Sequence, residues 1–67
     1  MDSDAVLISI KEAARITSLS RTSINEKRAA GLFPKPVALG DKRIAFVRAE
    51  VVAWINERIA ASRSEAA

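Results

Sequence analysis

The run RTSINEKR, from Arg21 to Arg28, sets seven hydrogen-bonding or charged side chains around one large apolar residue, Ile24. These residue types match the edges of nucleic-acid bases. Arginine offers two parallel donors that fit the acceptor pair of guanine. Asparagine offers a donor and an acceptor that fit adenine, and a carboxylate accepts from the amino group of cytosine. Hydroxyl side chains suit phosphate oxygens as well as base edges. Arg21, Thr22, Ser23, Asn25 and Glu26 are therefore candidate readers of duplex DNA, and Lys27 and Arg28 complete the set on the same segment. A second basic pair, Lys42 and Arg43, follows Gly40-Asp41; an arginine there could enter a narrow minor groove, where the negative potential is enhanced. Lys35 is a candidate for phosphate contact, as is Arg48. The same side chains would also serve as a plain solvated surface, so their positioning matters.

Charge is distributed to suit a polyanion. The 67 residues carry a formal +3. Residues 1–10 hold −2 and residues 49–67 hold −1, whereas residues 11–48 hold nine basic groups against three acidic ones, a net +6. Concentrated basic charge is the electrostatic footprint of a nucleic-acid binder. Cysteine and histidine are both absent, which removes the disulfide framework, the thiolate metal site and the commonest general base. The acidic residues are scattered over turns and chain ends. The chain reads as a non-enzyme that needs no cofactor and no metal. No apolar run approaches a membrane span and the N-terminal MDSDAVLISI does not resemble a signal peptide, so the expected location is the cytoplasm, in association with the nucleoid.

The elements that must position these residues can be placed in order. Ser9-Ile10-Lys11-Glu12 fits a capping box, in which serine accepts from a free amide and glutamate reaches back. Ile10, Ala13, Ala14 and Ile16 then recur at helical spacing until Thr17 and Ser18 end the helix. Leu19 is expected to plug the corner, Ser20 to cap a second helix from Arg21 to Ala30, and Gly31 to stop it in a left-handed conformation. The prolines of Phe33-Pro34-Lys35-Pro36 force an extended path. Pro36–Leu39 and Arg43–Val47 read as two short strands joined by a tight loop. From Ala49 to Ala61 the sequence is helical again, with Val51, Ile55 and Ile59 in one stripe broadened by Val52 and Trp54. Trp54, Ile24, Leu19, Ile16, Phe33 and Phe46 read as core, and Glu50, Glu57 and Arg58 as a solvated face.

The expected fold is mostly α with a small β-hairpin, a winged helix-turn-helix in the order helix, helix, hairpin, helix. One domain occupies residues 1–67, with an ordered core of about 7–61 and flexible tails at 1–6 and 62–67. In such a fold the second helix lies in the major groove.

The segments KEAARITSLSRTSI, GLFPKPVALG and EVVAWI, in that order, resemble the AlpA family of small phage-type regulators, related to excisionases and more distantly to the N-terminal domain of MerR regulators. The resemblance spans roughly residues 7–60. It implies a winged helix that binds DNA and regulates transcription of prophage or mobile-element genes. It also implies that Ser18 stands where the turn usually holds glycine, and that Asn25 and Glu26 replace a tyrosine and a basic residue. Lys27 and Arg28 stand where apolar residues pack inward, so their stems are expected to lie along the core. An excisionase-like architectural protein that assists an integrase is an alternative, as is a small protein-interaction module using the Val51–Ile59 helix. The expected partner is double-stranded DNA, with a recombinase or RNA polymerase as further candidates, no membrane, and cooperative self-association on repeated sites.

Overall fold

The computed structural model describes residues 6–66. Its elements are β1 (Leu7–Ile8), α1 (Ile10–Thr17), α2 (Arg21–Ala29), β2 (Val37–Ala38), β3 (Ile44–Val47) and α3 (Arg48–Ala66). The expected order of helix, helix, hairpin and helix is present, and it defines a winged helix-turn-helix. The strand β1 was not expected. It pairs antiparallel with β3, Leu7 opposite Val47 and Ile8 opposite Phe46, and β3 pairs in turn with β2, so that β3 is the middle strand of three.

The residues that start and stop the helices behave as their chemistry dictates. Ser9 caps α1, its Oγ accepting from the Glu12 amide at 3.1 Å. Only half of the capping box forms. The Glu12 carboxylate turns forward instead and receives the Arg15 guanidinium, with Nε donating to Oε1 at 2.9 Å and Nη2 donating to Oε2. A charged partner one turn along gives a stronger bond than the neutral amide of Ser9. This pair holds the Glu12 carboxyl below its ordinary range and raises Arg15. At the end of α1, Thr17 Oγ1 donates to the Ala13 carbonyl at 2.7 Å and accepts from the Leu19 amide at 3.3 Å. Between them Ser18 takes a left-handed conformation, φ 64°.

Ser20 caps α2, its Oγ accepting from the Ser23 amide at 3.0 Å. At the other end the Gly31 amide donates to the Arg28 carbonyl at 3.1 Å and the Leu32 amide to the Lys27 carbonyl at 2.7 Å. This pair of bonds, with φ 75° at Gly31, is a Schellman motif, and it satisfies carbonyls that a bare helix end would leave open.

The core comprises Ala13, Ile24, Phe33, Phe46 and Val51, with Ile8, Ile10, Ala14, Ile16, Leu19, Trp54 and Ile55 packed around it. Ala13 is fully buried, and the small side chain lets α1 lie close to its neighbours. Phe33 contributes its ring between two others, edge-on to Phe46 at 5.4 Å and to Trp54 at 4.9 Å. Trp54 is half-buried and keeps its polar atom satisfied: the indole N–H donates to the Leu32 carbonyl at 2.9 Å. The apolar stripe of α3 is largely consumed by this packing, leaving Ile59 exposed at its end.

Two boundaries differ from the sequence reading. Val6, assigned to a frayed tail, accepts through its carbonyl from the Arg48 amide at 2.7 Å, which ties the chain before β1 to the first residue of α3. The remainder of that expected tail, residues 1–5, lies outside the described residues, as does Ala67. The last helix begins at Arg48 and continues to Ala66, past the expected end at Ala61. The segment from Ala60 on holds alanine, arginine, serine and glutamate with neither glycine nor proline, and so contains no stop signal.

Candidate nucleic-acid interface

The second helix is fixed from three sides and left open on the fourth. Ser20 pins its first turn, the Schellman motif pins its last, and Ile24, at 0% exposure, anchors its middle. The carbonyl of Leu32 held by Trp54 adds a tether from α3 to the chain just beyond α2. At about 100° per residue, burial of Ile24 turns residues 22, 25, 26 and 29 away from the core. Thr22, Asn25 and Glu26 are accordingly exposed, together with Arg21 at the first position. Ile24 is the one fully buried residue of this nine-residue helix, and its exposed positions are Arg21, Thr22, Asn25, Glu26 and Ala29.

The candidate residues do not all occupy equivalent places. Ser23 is half-buried and engaged in the cap, its amide bonded to Ser20 Oγ and its hydroxyl to the same oxygen at 3.2 Å. Lys27 and Arg28 are half-buried. Arg28 Nη2 donates to Asn25 Oδ1 at 3.0 Å, and Arg28 Nε is buried without a partner. This coupling escaped the sequence reading, although the i, i+3 spacing that permits it was visible. Glu26 is exposed, and the salt bridge formed among the described residues is the one between Arg15 and Glu12, not one to Glu26.

Lys42 and Arg43 are exposed at the tip of the β2–β3 hairpin, which is closed by the Leu39 amide donating to the Arg43 carbonyl at 2.8 Å. Two apolar side chains flank them in the open, Leu39 and Ile44. Lys35 is exposed in the segment linking α2 to β2. Arg48 is also exposed, at the first turn of α3. The exposed polar face of α2 and a basic hairpin are thus presented by one small framework. Among the described residues there is no cluster of three potential metal-ligating side chains, and no helix is long and apolar enough to cross a membrane.

The fold and this surface define a protein of the winged helix-turn-helix class. The sequence comparisons take the assignment further. Residues 7–59 match the family described as Prophage CP4-57 regulatory protein (AlpA), and the chain belongs to that family of phage-associated regulatory proteins. It is also similar to the "uncharacterized protein ORF88" of Enterobacteria phage P4, with 41% identity over 51 residues, covering 76% of this chain. The matched region is 58% of that phage protein's length, so the chain spans little more than half of its relative. No solved structure matches it.

Proposed function

We propose that this chain is a sequence-specific duplex-DNA-binding regulator of prophage or mobile-element genes, with α2 laid in the major groove and the β2–β3 hairpin against the backbone or minor groove. The observation that carries this reading is the thinness of the core face of α2. A helix capped at both ends, with Ile24 its one fully buried residue, leaves Arg21, Thr22, Asn25 and Glu26 exposed. Base contacts from the first turns of such a helix specify sequence, and basic residues outside it position the protein on the phosphates. Lys42 and Arg43 fill the second role, supported by Lys35. Membership of a prophage regulatory family supports the same reading.

A single module of this size covers only about 600–1,000 Å² on DNA. Cooperative occupation of repeated sites, in the cytoplasm and on the nucleoid, therefore belongs to the proposal. The test is a duplex titration at several salt concentrations. Each neutralised phosphate contributes about −0.9 to the slope of log affinity against log salt. Alanine at Lys42 and Arg43 together is expected to make that slope shallower by about 1–2 while leaving base preference intact. Affinity independent of salt, or no duplex binding at all, would refute the assignment.

A further inference from the structure

Trp54 lines two grooves that flank α3. One, of about 350 Å³, has an apolar lining of Ile16, Leu19, Ile55 and Ile59 and carries two cations, Lys27 and Arg58. The other runs past Leu32, Phe33 and Pro34 and carries two carboxylates, Glu50 and Glu57. The first groove has no carboxylate in its lining and the second has no cation. The salt bridge among the described residues joins Arg15 to Glu12, so Lys27, Arg58, Glu50 and Glu57 form none there. At about 100° per residue, Glu50, Ala53 and Glu57 share one flank of α3, and Ile55, Arg58 and Ile59 share the flank nearly opposite.

The two flanks match in shape as well as in charge. Leu32, in the acidic groove, is 63% exposed, the highest value among the large apolar side chains described. Ile59, in the basic groove, is 43% exposed. A lone exposed leucine needs no explanation. Here, however, an apolar knob beside two carboxylates complements an apolar hollow beside two cations. Because the two lie on opposite flanks, one molecule cannot close them on each other, and a contact between them joins different copies.

We propose that the basic groove receives Leu32 of a second copy of this chain, with Glu50 and Glu57 of that copy against Lys27 and Arg58. The contact is heterologous: each copy keeps one groove and one knob free, so copies add head to tail. Lys27 lies roughly 150° around α2 from the mean direction of residues 22, 25, 26 and 29, which leaves the outward face of that helix open in such a row. One side chain in one groove buries far less than the about 1,200 Å² of the smallest standard interfaces. Free copies therefore associate weakly, and neighbouring DNA sites supply the local concentration that the contact needs. In aligning copies along DNA the inference rests on the proposed reading of α2; the contact itself does not.

The chain has no cysteine, so introduced ones report the contact without background. Leu32→Cys and Ile59→Cys chains are mixed and oxidised, with and without duplex DNA. A disulfide needs Cα atoms within about 7 Å. Mixed dimers should exceed either same-variant dimer by about five-fold or more, against about two-fold for random collision. Arg58→Glu in the Ile59→Cys chain should suppress the mixed dimer, and adding Glu57→Lys to the Leu32→Cys chain should restore it. A merely structural effect of Arg58→Glu would not be rescued by a change in another chain. Same-variant dimers at or above the random share would overturn the inference, as would indifference to Arg58→Glu or failure of the rescue. Duplex binding by the unmodified chain is measured alongside. Binding without mixed dimers removes this contact and leaves the groove reading standing; mixed dimers without duplex binding do the reverse.

Discussion

Replacing Ser18 by glycine should stabilise the protein, and the structure allows the size of the effect to be worked out. Ser18 sits at φ 64° between α1 and α2, the one non-glycine residue with positive φ among those described. For a residue with a Cβ the left-handed conformation costs roughly 1–2 kcal/mol, a cost that glycine escapes. Glycine also loosens the unfolded chain, which offsets about 0.4–1 kcal/mol of the gain. The Ser18 hydroxyl is not needed by the turn, because Thr17 makes its side-chain bonds to Ala13 and Leu19. The net gain is about 0.5–1 kcal/mol. For a domain of this size it corresponds to a rise in Tm of about 2–8 °C. Thermal melting followed by far-ultraviolet circular dichroism reads it directly. Ser18→Ala keeps the backbone demand while removing the same hydroxyl, so it should melt within a few degrees of the unmodified chain and below Ser18→Gly. Equal melting of the glycine and alanine variants, or a fall in Tm for glycine, would show that the turn is not strained by its left-handed residue.

Further outcomes follow from the caps, the core and the exposed ion pair. Ser20→Ala removes the Oγ that accepts from Ser23 and should cost about 1 kcal/mol, read as a lower denaturation midpoint. Ile24→Ala should cost about 2–5 kcal/mol, enough to unfold much of the population of so small a domain, and loss of helical dichroism at room temperature would report it. Trp54→Phe leaves the Leu32 carbonyl without its indole donor and should lower stability by about 0.5–1.5 kcal/mol in chemical denaturation. Glu12 has a folded-state pKa below its unfolded value. Its contribution is complete above the unfolded value and is lost as pH falls through the folded one. Glu12→Gln should therefore show a weaker decline of Tm on the acid side than the unmodified chain. The difference should be small, because the pair is solvent-exposed, and smaller still in high salt.

Much of the fold was legible where single residues act locally. Ser9, Ser20 and Gly31 mark helix ends because their side chains, or the lack of one, satisfy backbone groups within a turn. Ile24, Phe33, Phe46 and Val51 announced the core by apolar spacing. What was hidden depended on partners far away or on competition between neighbours. Leu7 and Ile8 form a strand because Val47 and Phe46 offer an open edge; nothing within a two-residue stretch reveals that. Glu12 had two suitors, its own cap and Arg15, and the spacing S-x-x-E could not say which would prevail. At the candidate interface the exposed residues Arg21, Thr22, Asn25 and Glu26 were readable from helical periodicity. The engagement of Ser23 in the cap and the bond from Arg28 to Asn25 were not, since both are choices among rotamers of residues that share a surface.

The pairing of Leu7 with Val47 bears on how the molecule comes into being. It joins residues forty positions apart, whereas the hairpin pairs Val37 with Ala45, eight positions apart. The short ladder can close early; the long one confines a much larger loop and must follow. During synthesis, α1 and α2 would emerge well before Phe46 and Val51, the residues that complete their apolar floor. The helix-turn-helix is therefore not a transplantable cassette. Grafted onto another scaffold without β3 and the start of α3, it would leave Ala13 and Ile24 facing water and lose the geometry on which its outward face depends.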